Sequence, residues 1–266
     1  MDTLRSRPTA TSRLASVWQR WRERARNLPA LEALPSIAVP AIDIETLAGP
    51  AAFRKTLLTL IGSARRRILI VALYLQDDDA GREILAALYA ALKARPELEI
   101  AVFVDWHRAQ RGLIGKAKSA GNAALYRDMA QRLGAGVTVY GVPIQRREFL
   151  GVLHLKGFVV DDTVLYSGAS LNDVYLQKHG RYRLDRYHLI RSGELADSLA
   201  RLLTATIRPD PAVHPLDRAS RPTTAELRPA IARFRRALAT SRYDFANSQL
   251  GEGQVHVTPL LGLGLR

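Results

Sequence analysis

The chain has 266 residues, 39 Lys+Arg against 25 Asp+Glu for a net charge of +14, and 47% hydrophobic residues; this excludes disorder along the whole length and allows a sizeable core. There is no cysteine, which excludes disulfides, thiolate metal sites and a cysteine nucleophile, and fits a reducing compartment. The longest apolar run, Ile68 to Leu75, is far short of the roughly 18 residues a spanning helix needs, so the sequence reads as soluble or peripheral, with a surplus of positive charge suited to nucleic acid or an anionic membrane surface.

The first segment, residues 1–48, reads as a basic arm and linker. Arg5, Arg7, Arg13, Arg20, Arg22, Arg24 and Arg26 stand against Asp2 and Glu23. Leu14, Val17, Trp18, Trp21, Ala25 and Leu28 recur at helical spacing, forming one apolar stripe flanked by arginines. Such a helix suits a membrane interface, with rings in the acyl boundary and guanidinium groups at phosphates; it equally suits docking on its own domain. No apolar stretch of a secretory signal follows the arginines, although the Arg-rich, acid-poor texture is shared with organelle transit peptides. Pro29, Pro35, Pro40 and Pro50 then punctuate a linker.

Residues 49–208 read as the main folded unit. Phe53, Leu57, Leu58 and Ile61 predict a helix over Ala51 to Arg65. Arg67 to Leu75 reads as a buried strand. Asp77, Asp78 and Asp79 precede a helix from Ala80 to Ala94, where capping is favoured over a metal site because helix starts recruit aspartate. Leu98 to Trp106 is a second buried strand, Asn122 to Leu133 a helix and Val137 to Val142 a third strand. Val152 to Val160 and Thr163 to Ser167 are strands around an Asp161–Asp162 turn. Arg186 to Ile190 is a short strand and Glu194 to Ile207 a helix. This alternation predicts an α/β sandwich, a mixed sheet flanked by helices. Residues 209–266 read as a Pro-rich linker, a basic helix over Glu226 to Thr240 and a tail. No internal repeat or low-complexity tract is present.

The chemistry concentrates in Val152-Leu-His154-Leu-Lys156-Gly-Phe-Val-Val-Asp161 and Gly168-Ala-Ser170-Leu-Asn172. With a strand period of two, His154 and Lys156 project from one face, and Ser170 and Asn172 share the same spacing. An imidazole, an ammonium, a hydroxyl and an amide converging on an oxyanion suit phosphoryl transfer: the imidazole attacks phosphorus and the donors stabilise the non-bridging oxygens. No carboxylate cluster here calls for a metal, and no cofactor is expected. The segment Asp105-Trp106-His107-Arg108-Ala109-Gln110-Arg111 follows a strand end, where α/β sheets commonly bind ligands. Arg108 and Arg111 suit a pyrophosphate or carboxylate through forked donors. His107 reads as either a binding residue or a structural one. His188 alternates within a strand and reads as core or as a support behind the site, and His179 lies beyond the pattern.

The full pattern, H-x-K with aspartate five residues later and then G-x-S-x-N, resembles the phospholipase D superfamily. Ile70–Leu75, Val104–Arg111, Tyr140–Ile144, Gly151–Gly157, Tyr166–Tyr175 and Asp185–Ile190 are similar to its bacterial phosphatidylserine synthase branch, over roughly Pro50 to Gly264. The resemblance implies a reaction of CDP-diacylglycerol with L-serine giving phosphatidylserine and CMP through a phosphatidyl-histidine intermediate. It implies His154 as nucleophile, Lys156 and Asn172 holding the phosphoryl oxygens and Ser170 assisting. A histidine nucleophile needs a partner on its other nitrogen, and Asp185 is the candidate. Asp161 and Gly168 match structural positions of the motif. The implied setting is cytoplasmic and peripheral, at the inner face of the cell membrane.

The superfamily pattern carries two H-x-K signatures, one per half of a pseudo-dimer, whereas His154 is the only histidine here with a lysine two residues on. The chain therefore resembles an N-terminal half. The expectation is little turnover unless a second half or a homodimer supplies the other histidine, together with an exposed apolar surface. The rival expectation is a single-signature phosphodiesterase or nuclease acting as a homodimer, which the basic charge would also suit; the wider similarity disfavours nucleic acid.

Overall fold

Apolar runs that are buried on both faces form the centre of the molecule. In a computed structural model, which describes residues 34–111, 121–145, 147 and 151–261, the strands β3 (Arg67–Val71), β4 (Glu99–Asp105) and β6 (Gly157–Val160) are almost wholly buried. They lie inside an eight-stranded mixed sheet of order β2-β8-β7-β6-β3-β4-β5-β9. The remaining strands are β2 (Ile44–Thr46), β5 (Val137–Val142), β7 (Thr163–Ser167), β8 (Tyr187–Arg191) and β9 (His214–Pro215). Strands β3, β4 and β5 are parallel, and β6, β7 and β8 are antiparallel neighbours. The basic arm expected over residues 1–28 lies outside the described residues.

Parallel neighbours need crossover helices. These are α2 (Asp79–Ala94) between β3 and β4, and α4 (Asn122–Leu133) between β4 and β5, after the short α3 (Trp106–Ala109). Helix α1 (Pro50–Ser63) packs on α2, and its Phe53 ring lies 5.8 Å from Phe158 and 4.9 Å from Tyr187. Helix α5 (Gly193–Arg201), continued by a π-helical turn over Leu202–Ile207, covers the opposite face, where its Leu199 meets Gly157. Neighbouring residues of β6 thus address opposite helical layers, as the strand period requires. Helix α6 (Thr224–Thr240) starts with a capping box between Thr223 and Glu226, and the Thr224 hydroxyl accepts from the Trp106 indole at 3.1 Å.

Two differences from the sequence expectation bear on the site. The run read as one strand over Val152 to Val160 enters the sheet only at Gly157, where φ is +129°; the positive φ at the strand's first residue turns the chain there, and His154 and Lys156 lie before the strand rather than on it. The run read as Arg67 to Leu75 leaves the ladder after Val71, because Leu75 instead bridges Leu171. The Pro-rich stretches are also more structured than their composition suggests. Strands β2 and β9 are the sheet's two edges, and β1 (Ile37–Pro40) pairs with β10 (Gln254–Val257) in a separate ribbon.

Gly157 carries a clear expectation. A Cβ there would meet Leu199 Cδ2 at 2.9 Å, and the positive φ disfavours any L side chain. Gly157→Ala is expected to cost about 1–3 kcal/mol, measured by denaturant unfolding.

Candidate active site

The segment before β6 alternates. Leu153 and Leu155 are buried, His154 is exposed and Lys156 half-buried. The side-chain alternation expected of a strand therefore survives although the ladder does not. His154 and Lys156 share a cavity of about 540 Å³ with residues of β7, β8, α5 and the tail. Burial lowers the Lys156 pKa to about 8, against the opposing pull of the Asp185 carboxylate.

Asp185 reaches this site differently from the sequence expectation. Its Oδ1 accepts from the amides of Gly168 at 3.1 Å and Arg186 at 2.7 Å, and its charge acts on Lys156. Among the described residues no hydrogen bond joins it to His154. Its place is to hold the Gly168 turn beside the Lys156 ammonium. The glycine is required by close approach: a Cβ at 168 would lie 2.9 Å from an Asp185 carboxylate oxygen.

Ser170 and Asn172 are buried in an adjoining polar cluster, and neither lines the cavity. Ser170 hydrogen-bonds the Tyr74 phenol, whose pKa burial raises. Asn172 Nδ2 donates to the Tyr74 hydroxyl at 3.4 Å and to Gln76 Oε1 at 3.3 Å, and its Oδ1 accepts from the Tyr175 amide. Sequence reading missed Tyr74 and Gln76. They arrive because Leu75 bridges Leu171, a pairing nearly one hundred residues apart that no local pattern announces. The Arg108 and Arg183 charges act on the Tyr74 phenol, which puts Arg108 on this side of the site. His107 Nε2 lies 2.8 Å from the Gln145 carbonyl oxygen, a structural contact. Arg111 stands at the edge of the described residues.

Asp105 is the buried anchor beneath these groups. Its Oδ1 accepts from the amides of His107 and Arg108, each at 2.9 Å, and its Oδ2 accepts from the Leu153 amide at 2.9 Å. Burial pushes its carboxyl up while the amides oppose. One side chain therefore caps α3 and fixes the residue before His154. Asp161, in the β6–β7 turn at φ +50°, accepts from the amides of Arg65, Arg66 and Arg67. Burial raises its pKa, but these bonds outweigh it and hold the carboxyl below its usual value. The carboxylate ties the turn to the start of β3.

The aspartates before α2 are engaged separately. Asp78 caps through Gly81 and also accepts from the Asp173 amide; burial raises it to about 6. Asp77 pairs with Arg82 at 2.6 Å, and Asp79 with His179 at 2.8 Å. His188 Nδ1 meets the Thr46 hydroxyl across β2–β8 at 3.3 Å. No described helix is long and apolar enough to cross a membrane.

No protein-family model matches the chain. The CDP-diacylglycerol–serine O-phosphatidyltransferase PssA of Escherichia coli (strain K12) is 51% identical over 243 residues, which are 91% of this chain and 54% of that protein. Over most of its length the chain is similar to about half of a bacterial phosphatidylserine synthase. The Haemophilus influenzae CDP-diacylglycerol–serine O-phosphatidyltransferase is 44% identical over 88% of this chain and 52% of its own length. The crystal structure of phosphatidylserine synthase from Haemophilus influenzae Rd KW20 superposes with a TM-score of 0.79 at 42% identity, covering 88% of this chain and 51% of that one. The chain spans about half the length of these synthases. The mixed sheet flanked by helices, expected from the sequence, is the shared fold.

Proposed function

We propose that this chain carries the phosphorus-attacking half of a phosphatidyl transfer from CDP-diacylglycerol to L-serine. The observation that carries the reading is His154 and Lys156 opening into one cavity, in a chain half-identical to an enzyme named for that reaction. In the first step the His154 imidazole attacks the lipid-bearing phosphorus. A nitrogen–phosphorus bond forms, the bond to the CMP oxygen breaks, and CMP leaves with the electron pair. In the second step the serine hydroxyl attacks the phosphorus and gives its proton to the second histidine named below, and the nitrogen–phosphorus bond breaks to release His154 and phosphatidylserine. Lys156 neutralises the non-bridging oxygens. Ser170 and Asn172, held by Tyr74 and Gln76, complete the oxyanion site when substrate draws them toward the phosphorus. Arg108 and Arg111 meet the nucleotide phosphates.

His154 is the only imidazole among the described residues lining the cavity. The proton for the departing CMP oxygen comes from a second H-x-K histidine, as the superfamily resemblance implies, supplied by a homodimer or a longer chain. General acids of this kind contribute roughly 10²–10⁴-fold. The surplus charge of +14 and the arginine-rich sequence of the first 28 residues support a reaction at an anionic membrane surface, and the cytoplasmic face is the setting of this reading.

The test is incubation with labelled CDP-diacylglycerol, with and without serine, and separately with DNA. Release of CMP, with serine discharging the lipid label as phosphatidylserine, is expected. DNA cleavage without CMP release would overturn the reading.

The pH dependence follows from Lys156. Its pKa is lowered to about 8, so the ammonium is present below that pH and lost above it. The rate is expected to fall roughly tenfold per pH unit on the alkaline side. Lys156→Arg, charged throughout, is expected to lower the maximum and remove this alkaline limb in a pH–rate profile.

A further inference from the structure

We infer that the cavity beside His154 is an acyl-chain subsite, and that the segment Val257–Leu260 forms its outer wall. This deepens the phosphatidyl-transfer reading and rests on it for the link to catalysis. The cavity, about 540 Å³, falls in the range of small-molecule sites, roughly 300–1,000 Å³. His154 and Lys156 supply an imidazole and an ammonium to the lining, and most of the remaining wall is aliphatic: Val164, Ile190, Leu195, Leu199, Val257 and Leu260. The other polar groups are the Thr258 hydroxyl and the phenols of Tyr166 and Tyr243. Burial and then the neighbouring Tyr166 push Tyr243 up to about 12, so it stays uncharged.

A nucleotide or an amino acid in this space would lose hydration and find few partners. A hydrocarbon chain loses nothing comparable and buries apolar surface. The acyl chains of a phospholipid are tethered a few bonds from the phosphorus that His154 would attack, so the space next to the imidazole is where such a chain enters.

The outer wall is built by a long-range clasp. In the β1–β10 ribbon, Ile37 pairs with Val257 and Val39 with Val255. The Ser36 amide donates to Asn247 Oδ1 at 2.9 Å, the Ser248 amide to the Ser36 carbonyl at 2.9 Å, and the Ala41 amide to the Gly253 carbonyl at 2.8 Å. Residues on either side of the sheet domain are thus joined where they close the cavity. This clasp makes Val257–Leu260 a determinant of which chains fit.

The experiment is calorimetric titration of the chain with dioctanoyl phosphatidic acid below its micelle concentration, compared with glycerol 3-phosphate. The lipid is expected to bind at least tenfold more tightly. Leu195→Trp and Val164→Phe fill the cavity and are expected to remove that advantage while glycerol 3-phosphate still binds. Leu260 is 64% exposed, so Leu260→Asp leaves the fold intact, and it is expected to weaken lipid binding at least threefold. Equal binding of the two ligands, or lipid binding unchanged in all three variants, would overturn the subsite and leave the cavity as a face for another protein segment. If acyl-dependent binding appears while DNA is cleaved without CMP release, the subsite stands and the transferase reading fails.

Discussion

Replacing His154 by alanine is expected to lower CMP release by about 10⁴-fold or more, because the variant removes the atom that bonds to phosphorus. The structure favours this position for a nucleophile. The ring is exposed, it opens into the cavity, and among the described residues it makes no hydrogen bond that would occupy its lone pair. Lys156 shares that cavity, and Asp185 holds the neighbouring turn through the Gly168 amide. None of these groups replaces an imidazole as the attacking atom, so the residual rate should not depend on serine. The fold should be unaffected, since an exposed side chain without partners contributes little to stability. The check is single-turnover CMP release alongside thermal unfolding. Serine-dependent turnover within tenfold of the parent would contradict the assignment.

The second large effect is at Asp105. Removing the carboxylate in Asp105→Ala leaves the His107, Arg108 and Leu153 amides without their acceptor. Buried unsatisfied donors cost about 1–3 kcal/mol each before relaxation, so a total loss of about 3–5 kcal/mol is expected. Asp105→Asn is the more informative variant. It keeps an oxygen for the paired His107 and Arg108 amides and turns an NH₂ toward the amide of Leu153, the residue next to His154. A displacement of about 1 Å at reacting groups costs on the order of 10²-fold. The expected result for Asn is therefore a modest stability loss with a turnover number lowered by ten- to a hundredfold and a substrate KM near that of the parent. A fall in stability alone, with turnover per folded molecule unchanged, would make Asp105 purely structural.

The sequence carried the frame of this site and much of its sheet. The apolar runs around Ile68, Val102 and Phe158 announced buried strands because a strand covered on both faces cannot alternate. The spacing of His154 and Lys156 announced a shared face, and both line one cavity although their segment lies outside the ladder. Asp78 as a helix cap was legible from its position before α2. The rest depended on distant pairing. Tyr74 and Gln76 join Asn172 only because Leu75 bridges Leu171. Asp185 was read as the partner of His154 on chemistry alone; the Gly168 turn, whose amide it accepts, draws it to the lysine instead. The Pro-rich stretches gave no period to read, yet Ile37–Pro40 finds Gln254–Val257 and closes the wall of the cavity.

The central claim is that phosphorus passes through a bond to His154. The most direct measurement is mass spectrometry of the chain quenched after a brief exposure to CDP-diacylglycerol without serine. A phosphatidyl adduct on the peptide containing His154, lost when serine is added and never formed by His154→Ala, is the predicted result. An adduct on any other residue, or CMP release that proceeds with the His154 peptide unmodified, would contradict it.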